Sequence, residues 1–231
     1  MAISTPQLFY IDNIIQIIYE YIKHDNNLLN CNKYLYNTKL KYFKLNENYS
    51  LKYVQDINFK NLIHSKIINS KFQLSLNFNR CDKITDEEIK HLGNIHTLHL
   101  KYCNRITDEG IKCLGNLHTL HLIWCVKITD EGIKYLSNLN TLYFCYCDKI
   151  TDKGMKYLGN LHTLHLIWCI KIIDDGMKYL GNLHTLHLIC CDKITDEGLK
   201  HLGNLHTLHL TNCDKITDEG MKHLANVKII R

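Results

Sequence analysis

Histidine and cysteine are the residues of this 231-residue chain with chemistry to offer: fifteen of the first and eleven of the second. Most of them recur at a fixed interval of 22 positions. His99, His121, Tyr143, His165, His187 and His209 form one column, and Thr97, Thr119, Thr141, Thr163, Thr185 and Thr207 stand two positions before it. A second imidazole row, His96, His118, His162, His184 and His206, is interrupted by Asn140. Tyr102, Trp124, Tyr146 and Trp168 follow, with Cys190 and Asn212 closing that column. On parallel strands such rows repeat about every 5 Å. Imidazoles so arranged could accept hydrogen bonds, bind transition metals or sense pH. Copying of the whole unit accounts for their recurrence, so the rows read either as a solvated ladder or as a strip that binds a peptide or protein. The aromatics are the stronger candidates for binding, because large rings contribute area with few rotors to freeze.

The columns need strands to carry them. Leu92, Leu114, Leu136, Leu158, Leu180, Leu202 and Leu224 keep the same period, and residues 114–125 and 158–169 both read LGNLHTLHLIWC. Such a period specifies a solenoid, in which each copy buries its apolar face only against its neighbours. In the copy from Leu117 to Asn138, Leu120 and Leu122 alternate inward along a strand while Thr119 and His121 face outward. Thr129-Asp130-Glu131 is a helix start, a capping residue followed by acids that suit the positive helix end. Ile133 and Leu136 share one helical face, and Ser137-Asn138 stops the helix where most sister copies have Gly-Asn. About two helical turns fit. Roughly six buried aliphatics per copy contribute ~9–18 kcal/mol, against ~30 kcal/mol to order 22 residues. A lone copy cannot fold.

Seven cysteines, Cys81, Cys103, Cys125, Cys147, Cys169, Cys191 and Cys213, hold one position of the repeat. An odd, equivalent set is not a disulfide framework. The expected role is a small, semi-apolar side chain packed in the turn after the strand, its thiol weakly bonded to backbone.

The run Cys-x-Lys-Ile-Thr-Asp-Glu-Gly-Ile-Lys-x-Leu at Cys125–Leu136 resembles the cysteine-containing leucine-rich repeats of F-box/leucine-rich-repeat proteins, and the resemblance covers about residues 73–231. Members usually run some four residues longer, with a second Cys between helix and strand; here Gly-Asn joins them directly. The resemblance implies an α/β leucine-rich-repeat solenoid, a horseshoe with parallel concave strands, short convex helices and a small N-terminal helical head. Residues 1–45 lack the repeat. Ile14, Ile15, Ile18 and Ile22 keep helical spacing, and Leu28-Leu29-Asn30-Cys31-Asn32-Lys33-Tyr34 follows a polar break. This arrangement resembles a short, divergent F-box that lacks the usual Leu-Pro opening. By that resemblance Ile14, Ile15, Ile18, Leu28, Leu29, Cys31 and Tyr34 would form or support the docking face for a Skp1-type adaptor. The same residues could instead make a helical cap over the first repeat, and both roles are compatible. Residues 46–72 read as one or two degenerate repeats joining head to array.

Formal charge is +5, with 28 basic and 23 acidic residues. The two signs alternate inside each copy, so nucleic acid is not an expected partner. No apolar run approaches a membrane span and the start does not read as a secretory signal, which places the expected protein in the cytoplasm with reduced thiols. Catalytic constellations, cofactor motifs and paired metal ligands are not expected: Thr-Asp-Glu recurs where capping explains it, and an active site needs residues that differ from their repeats. What remains is a repeat-based interaction protein with an unknown protein partner on the concave face; the F-box resemblance adds a ubiquitin-ligase adaptor role through the head.

Overall fold

The computed structural model describes residues 42–45, 47–61, 73–81, 83–224 and 226–231. The seven head residues expected to dock an adaptor lie outside them. The chain divides between Ser75 and Leu76 into two units. In the first, strand β1 (Tyr42–Lys44) pairs in parallel with Gln73–Ser75, and the helix Glu47–Gln55 stands between them in sequence. Tyr53 and Phe59 are buried there, and Ser50, also buried, donates its hydroxyl to the Leu45 carbonyl at 3.2 Å.

The second unit is the array, and it is the expected leucine-rich-repeat solenoid. β2 (Gln73–Asn79), β3 (Thr97–Lys101), β4 (Thr119–Ile123), β5 (Thr141–Cys145), β6 (Thr163–Ile167), β7 (Thr185–Ile189), β8 (Thr207–Thr211) and β9 (Lys228–Ile230) lie side by side in chain order. From β3 to β8 each strand pairs with its copy 22 positions on, Leu120 beside Leu142 and His121 beside Tyr143. The alternation is as expected: from β3 to β8 the two inward positions, leucines except for Phe144, are buried, while threonine and histidine, or Tyr143 in β5, take the other face. The last step is one residue shorter, so Lys228 pairs with Thr207 and Ile229 with Leu208. Asn226 absorbs the deletion with φ 65, which keeps the apolar position of β9 in its column; a slip would have turned it to the other face.

The helices are shorter than expected, four residues in most copies, as at Asp130–Ile133. Beyond them the chain continues in tight turns, Leu136 N–H donating to Ile133 and Leu139 N–H to Leu136. These turns bury a leucine every third residue without a second helical turn. The glycine of Gly-Asn does not end the helix through left-handed backbone, since no described glycine has positive φ. The asparagine works instead: Asn138 Nδ2 donates to the Gly115 carbonyl of the preceding copy at 2.9 Å, and Asn160, Asn182 and Asn204 repeat the bond.

Each helix start also grips the next. Thr129 caps its own helix, accepting from Glu131 N–H. Its backbone N–H and hydroxyl both donate to the Asp108 carboxylate one copy earlier, at 2.8 and 2.7 Å. The same clasp links Asp86 to Thr107, Asp130 to Thr151, Asp174 to Thr195 and Asp196 to Thr217. One link is defective. Ile173 replaces the threonine, so Asp152 receives only the backbone N–H and the helix Asp174–Met177 has no side-chain cap. Burial, and the nearby Asp175 and Asp130 charges, push the Asp152 carboxyl above its usual range. Ile173→Thr is expected to stabilise the array by about 1 kcal/mol, the worth of a cap, and to raise the thermal midpoint by roughly 2–4 °C. An unchanged midpoint would show that Asp152 gains nothing from a hydroxyl.

Candidate functional site

Three rows of rings cover the sheet's solvent face and its rim. Along the middle of the strands, His99, His121, Tyr143, His165, His187 and His209 stack without a break, their centroids 3.8–4.0 Å apart. At the strand starts His96 stacks on His118, and His162, His184 and His206 form a second stack; Asn140 separates the two. His184 and His206 lie within 2.9 and 2.8 Å of the Asn182 and Asn204 carbonyls through Nδ1. Those carbonyls can only accept, so Nδ1 carries the proton in both.

The third row is a ridge at the strand ends, Tyr102 beside Trp124, Tyr146 and Trp168. All four stand in left-handed backbone, with φ 54–55. That region costs an L residue about 1–2 kcal/mol and is ordinarily left to glycine or asparagine. The backbone demands it: each N–H turns sideways to donate to the strand-end carbonyl of the next copy, Trp124 N–H to Cys145 at 2.9 Å. Asn212 holds the same conformation in the last copy. Trp124 and Trp168 are nonetheless 39% and 43% exposed. Large rings kept in a disfavoured conformation and left in water are poorly explained by packing.

All ten expected partner-binding residues therefore share one face: five histidines and Tyr143 in the middle row, and Tyr102, Trp124, Tyr146 and Trp168 on the ridge. The residues missed are the clasp aspartates, taken in the sequence for capping acids alone. Their signal was Asp-x-Gly at every helix start after the first, since a side chain two positions on would meet the clasp of the copy before.

Burial sets the electrostatics. It depresses His165 to about 4, helped by the charges His187 and His209 would carry, and it lowers His187 and His96 as well. A histidine whose folded value lies below the unfolded ~6.5 binds protons better when unfolded. Its contribution is present in full above that value and is lost as pH falls from about 6.5 towards 4. His165→Tyr, a residue the column already accepts at Tyr143, is expected to flatten this acid dependence. The full shift would be ~3 kcal/mol; for a half-exposed ring about 1 kcal/mol is realistic, or roughly 2–4 °C between pH 7 and 4.5. Thermal melts of both proteins across that range check it, and parallel profiles would refute it.

From Cys103 onward the cysteine column lies inside, as expected. Cys125 donates to the Leu100 carbonyl at 3.5 Å, and Cys147 and Cys191 do likewise to Leu122 and Leu166. Burial pushes these thiols up, Cys125 to about 12 and Cys147 and Cys191 to about 11. They are unreactive at neutral pH. Among the described residues no cluster of three or more histidines, cysteines or acids could hold a metal ion; stacked imidazoles aim their nitrogens side by side, not at one point. No described helix is long and apolar enough to cross a membrane.

The leucine-rich-repeat family model matches residues 91–115, 116–137, 182–203 and 204–225. The chain carries leucine-rich repeats, in a fold used as a scaffold for binding other proteins. No curated protein matches it. Among solved structures it is similar to a chain of the yeast Rad7–Elc1 complex, with TM-score 0.58 and 22% identity over 81% of this chain and 52% of that one. It is also similar to the Listeria monocytogenes internalin C2, with TM-score 0.54, 28% identity and 70% and 71% coverage. A third is a chain of the TLR13–ssRNA13 complex, with TM-score 0.56, 20% identity and 82% and 28% coverage. The chain thus spans about half the length of the yeast one.

Proposed function

We propose that this protein is a cytoplasmic, non-catalytic adaptor that recruits substrates to a ubiquitin ligase. The sheet face and its aromatic ridge hold a protein substrate, and the F-box-like head, residues 1–45, docks a Skp1-type adaptor through Ile14, Ile15, Ile18, Leu28, Leu29, Cys31 and Tyr34. The observation that carries the binding half is the ridge, four aromatics retained in left-handed backbone, with Trp124 and Trp168 exposed. The adaptor half is supported by the order of parts, a paired-aliphatic head before cysteine-type repeats, and by the fold likeness to a chain crystallised as the Rad7–Elc1 complex. The inward thiol ladder fits the cysteine-containing repeat subclass of F-box proteins.

Full-length protein is expected to retain a purified Skp1-type adaptor in a pull-down, and Ile14→Lys/Ile18→Lys to lose it at unchanged circular dichroism. If the wild-type chain retains none, the ubiquitin role falls and the head is a cap on a plain binding scaffold.

A further inference from the structure

We propose that the solvent face of β3–β8 takes an acidic, extended polypeptide segment, laid across the strands with its carboxylates on the edges of the stacked imidazoles, and that binding takes up protons. The inference rests on the protein-binding reading of this face and adds the chemistry of the partner.

Stacking decides what the surface offers. Ring planes in the two histidine rows lie within 28° of parallel, so the faces of rings inside a row are covered by their neighbours and a ligand on this side meets ring edges. Edges carry the positive end of the ring quadrupole, and in imidazole they also carry the N–H. Single-stranded nucleic acid binds chiefly by stacking bases on ring faces, and this surface has few faces left. It offers rows of ring edges instead, where a nitrogen that accepts in the neutral ring becomes a donor once protonated.

The charges agree. Strands β3–β8 contain no aspartate or glutamate, and Lys101 is their one formal charge. β2 adds no charge, and β9 adds Lys228 beside Thr207. Between the histidine rows stand only the threonines, and on the ridge side the four aromatics with Arg80 and Cys190 in the same column, and Cys145 in β5. In the exposed loops beyond the ridge, Arg105, Lys127, Lys149, Lys171, Lys193 and Lys215 outnumber Asp148, Asp192 and Asp214. The clasp aspartates are spent on the helical side, bonded to the next copy. Six strands at ~4.8 Å spacing span roughly 24 Å, about seven residues of extended chain.

Protons enter through the middle row. Burial, and the charges that His187 and His209 would carry, keep His165 neutral in the free protein. A carboxylate at the ring edge reverses that balance in favour of imidazolium. Affinity must then rise as pH falls, by up to about tenfold per pH unit for each proton taken up.

The test uses the full chain and three fluorescein-labelled probes of about ten units: alternating Glu-Ala, alternating Gln-Ala, and oligouridine RNA. Anisotropy is read between about pH 7.5 and 5.5, where glutamate stays largely ionised. The Glu-Ala peptide is expected to bind at least about tenfold more tightly at the lower pH, and the Gln-Ala peptide to bind weakly without pH dependence. His121→Gln/His165→Gln/His187→Gln should abolish the pH dependence; the comparison of the two peptides on wild-type protein decides the matter even if that variant folds poorly. A flat pH profile, or equal binding of the two peptides, overturns the inference. If hydrogen exchange still shows protection of β3–β8 by the bound peptide, binding to this face survives. Tighter binding of the RNA overturns both the inference and the protein-binding reading.

Discussion

Asp108→Ala is expected to destabilise the array by about 2–3 kcal/mol, lowering the thermal midpoint by on the order of 6–10 °C. The carboxylate accepts from the Thr129 N–H and hydroxyl at 2.8 and 2.7 Å, and bonds to a charged acceptor contribute ~1.5–3 kcal/mol each when formed away from bulk water. Part of that is returned, because the freed threonine N–H is only partly buried. Gly132→Ala should cost a similar amount for a linked reason. A Cβ at Gly132 would stand 2.5 Å from Asp108 Oδ1 and 3.2 Å from Asp108 Cα, so alanine would displace the carboxylate from Thr129. At an ordinary helix position the same change would stabilise by up to ~1 kcal/mol; here the sign reverses. The decisive measurement is the double variant. Since both changes break one clasp, its cost should be close to that of either alone, with a coupling energy of about 2 kcal/mol. Simple additivity would mean that the glycine and the aspartate act separately, and that the clasp is not the reason this position lacks a side chain.

Trp124→Asn/Trp168→Asn should weaken partner binding by a hundredfold or more while leaving the fold nearly as stable as before. Central aromatic hot spots contribute ~2 kcal/mol or more each. Against that, asparagine tolerates left-handed backbone and already stands there at Asn212. Relief of ~1–2 kcal/mol per residue roughly offsets the stacking lost, ~0.5–1.5 kcal/mol per aromatic pair. The net change in stability is therefore expected to stay within about 1 kcal/mol. The check is a thermal melt beside a binding measurement on any partner recovered by proximity labelling with the intact chain. A fold weakened by several kcal/mol would identify the rings as structural, and the binding proposal would lose its chief support.

How far the sequence could be read differs between the two faces of the array. The strand face was legible because alternation has a period of two and the copies a period of 22: once Leu120 and Leu122 point inward, His121 has one direction left, and parallel register places it beside Tyr143. The helical face was not. Thr129-Asp130-Glu131 has the composition of a capping segment, and it does cap, but Asp130 also reaches Thr151, 21 positions away. Local spacing carries no information about that contact. Gly-Asn likewise reads as a local helix stop, whereas the asparagine at this position, Asn138 in its copy, bonds the preceding copy. The ridge lies between these cases. Its columns were visible in the sequence; its conformation was not, because a tryptophan at φ 55 contradicts local preference and only the carbonyl of the next strand enforces it.

The sequence by itself determined that this chain is a stack of near-identical turns with leucines and thiols inside and imidazoles outside, since periodicity alone assigns each residue type to a face. Only the tertiary structure decided what joins one turn to the next: the aspartate clasp, the asparagine bridge and the left-handed ridge. Each is a bond between residues about one repeat apart, and such bonds exist only after neighbouring turns have packed.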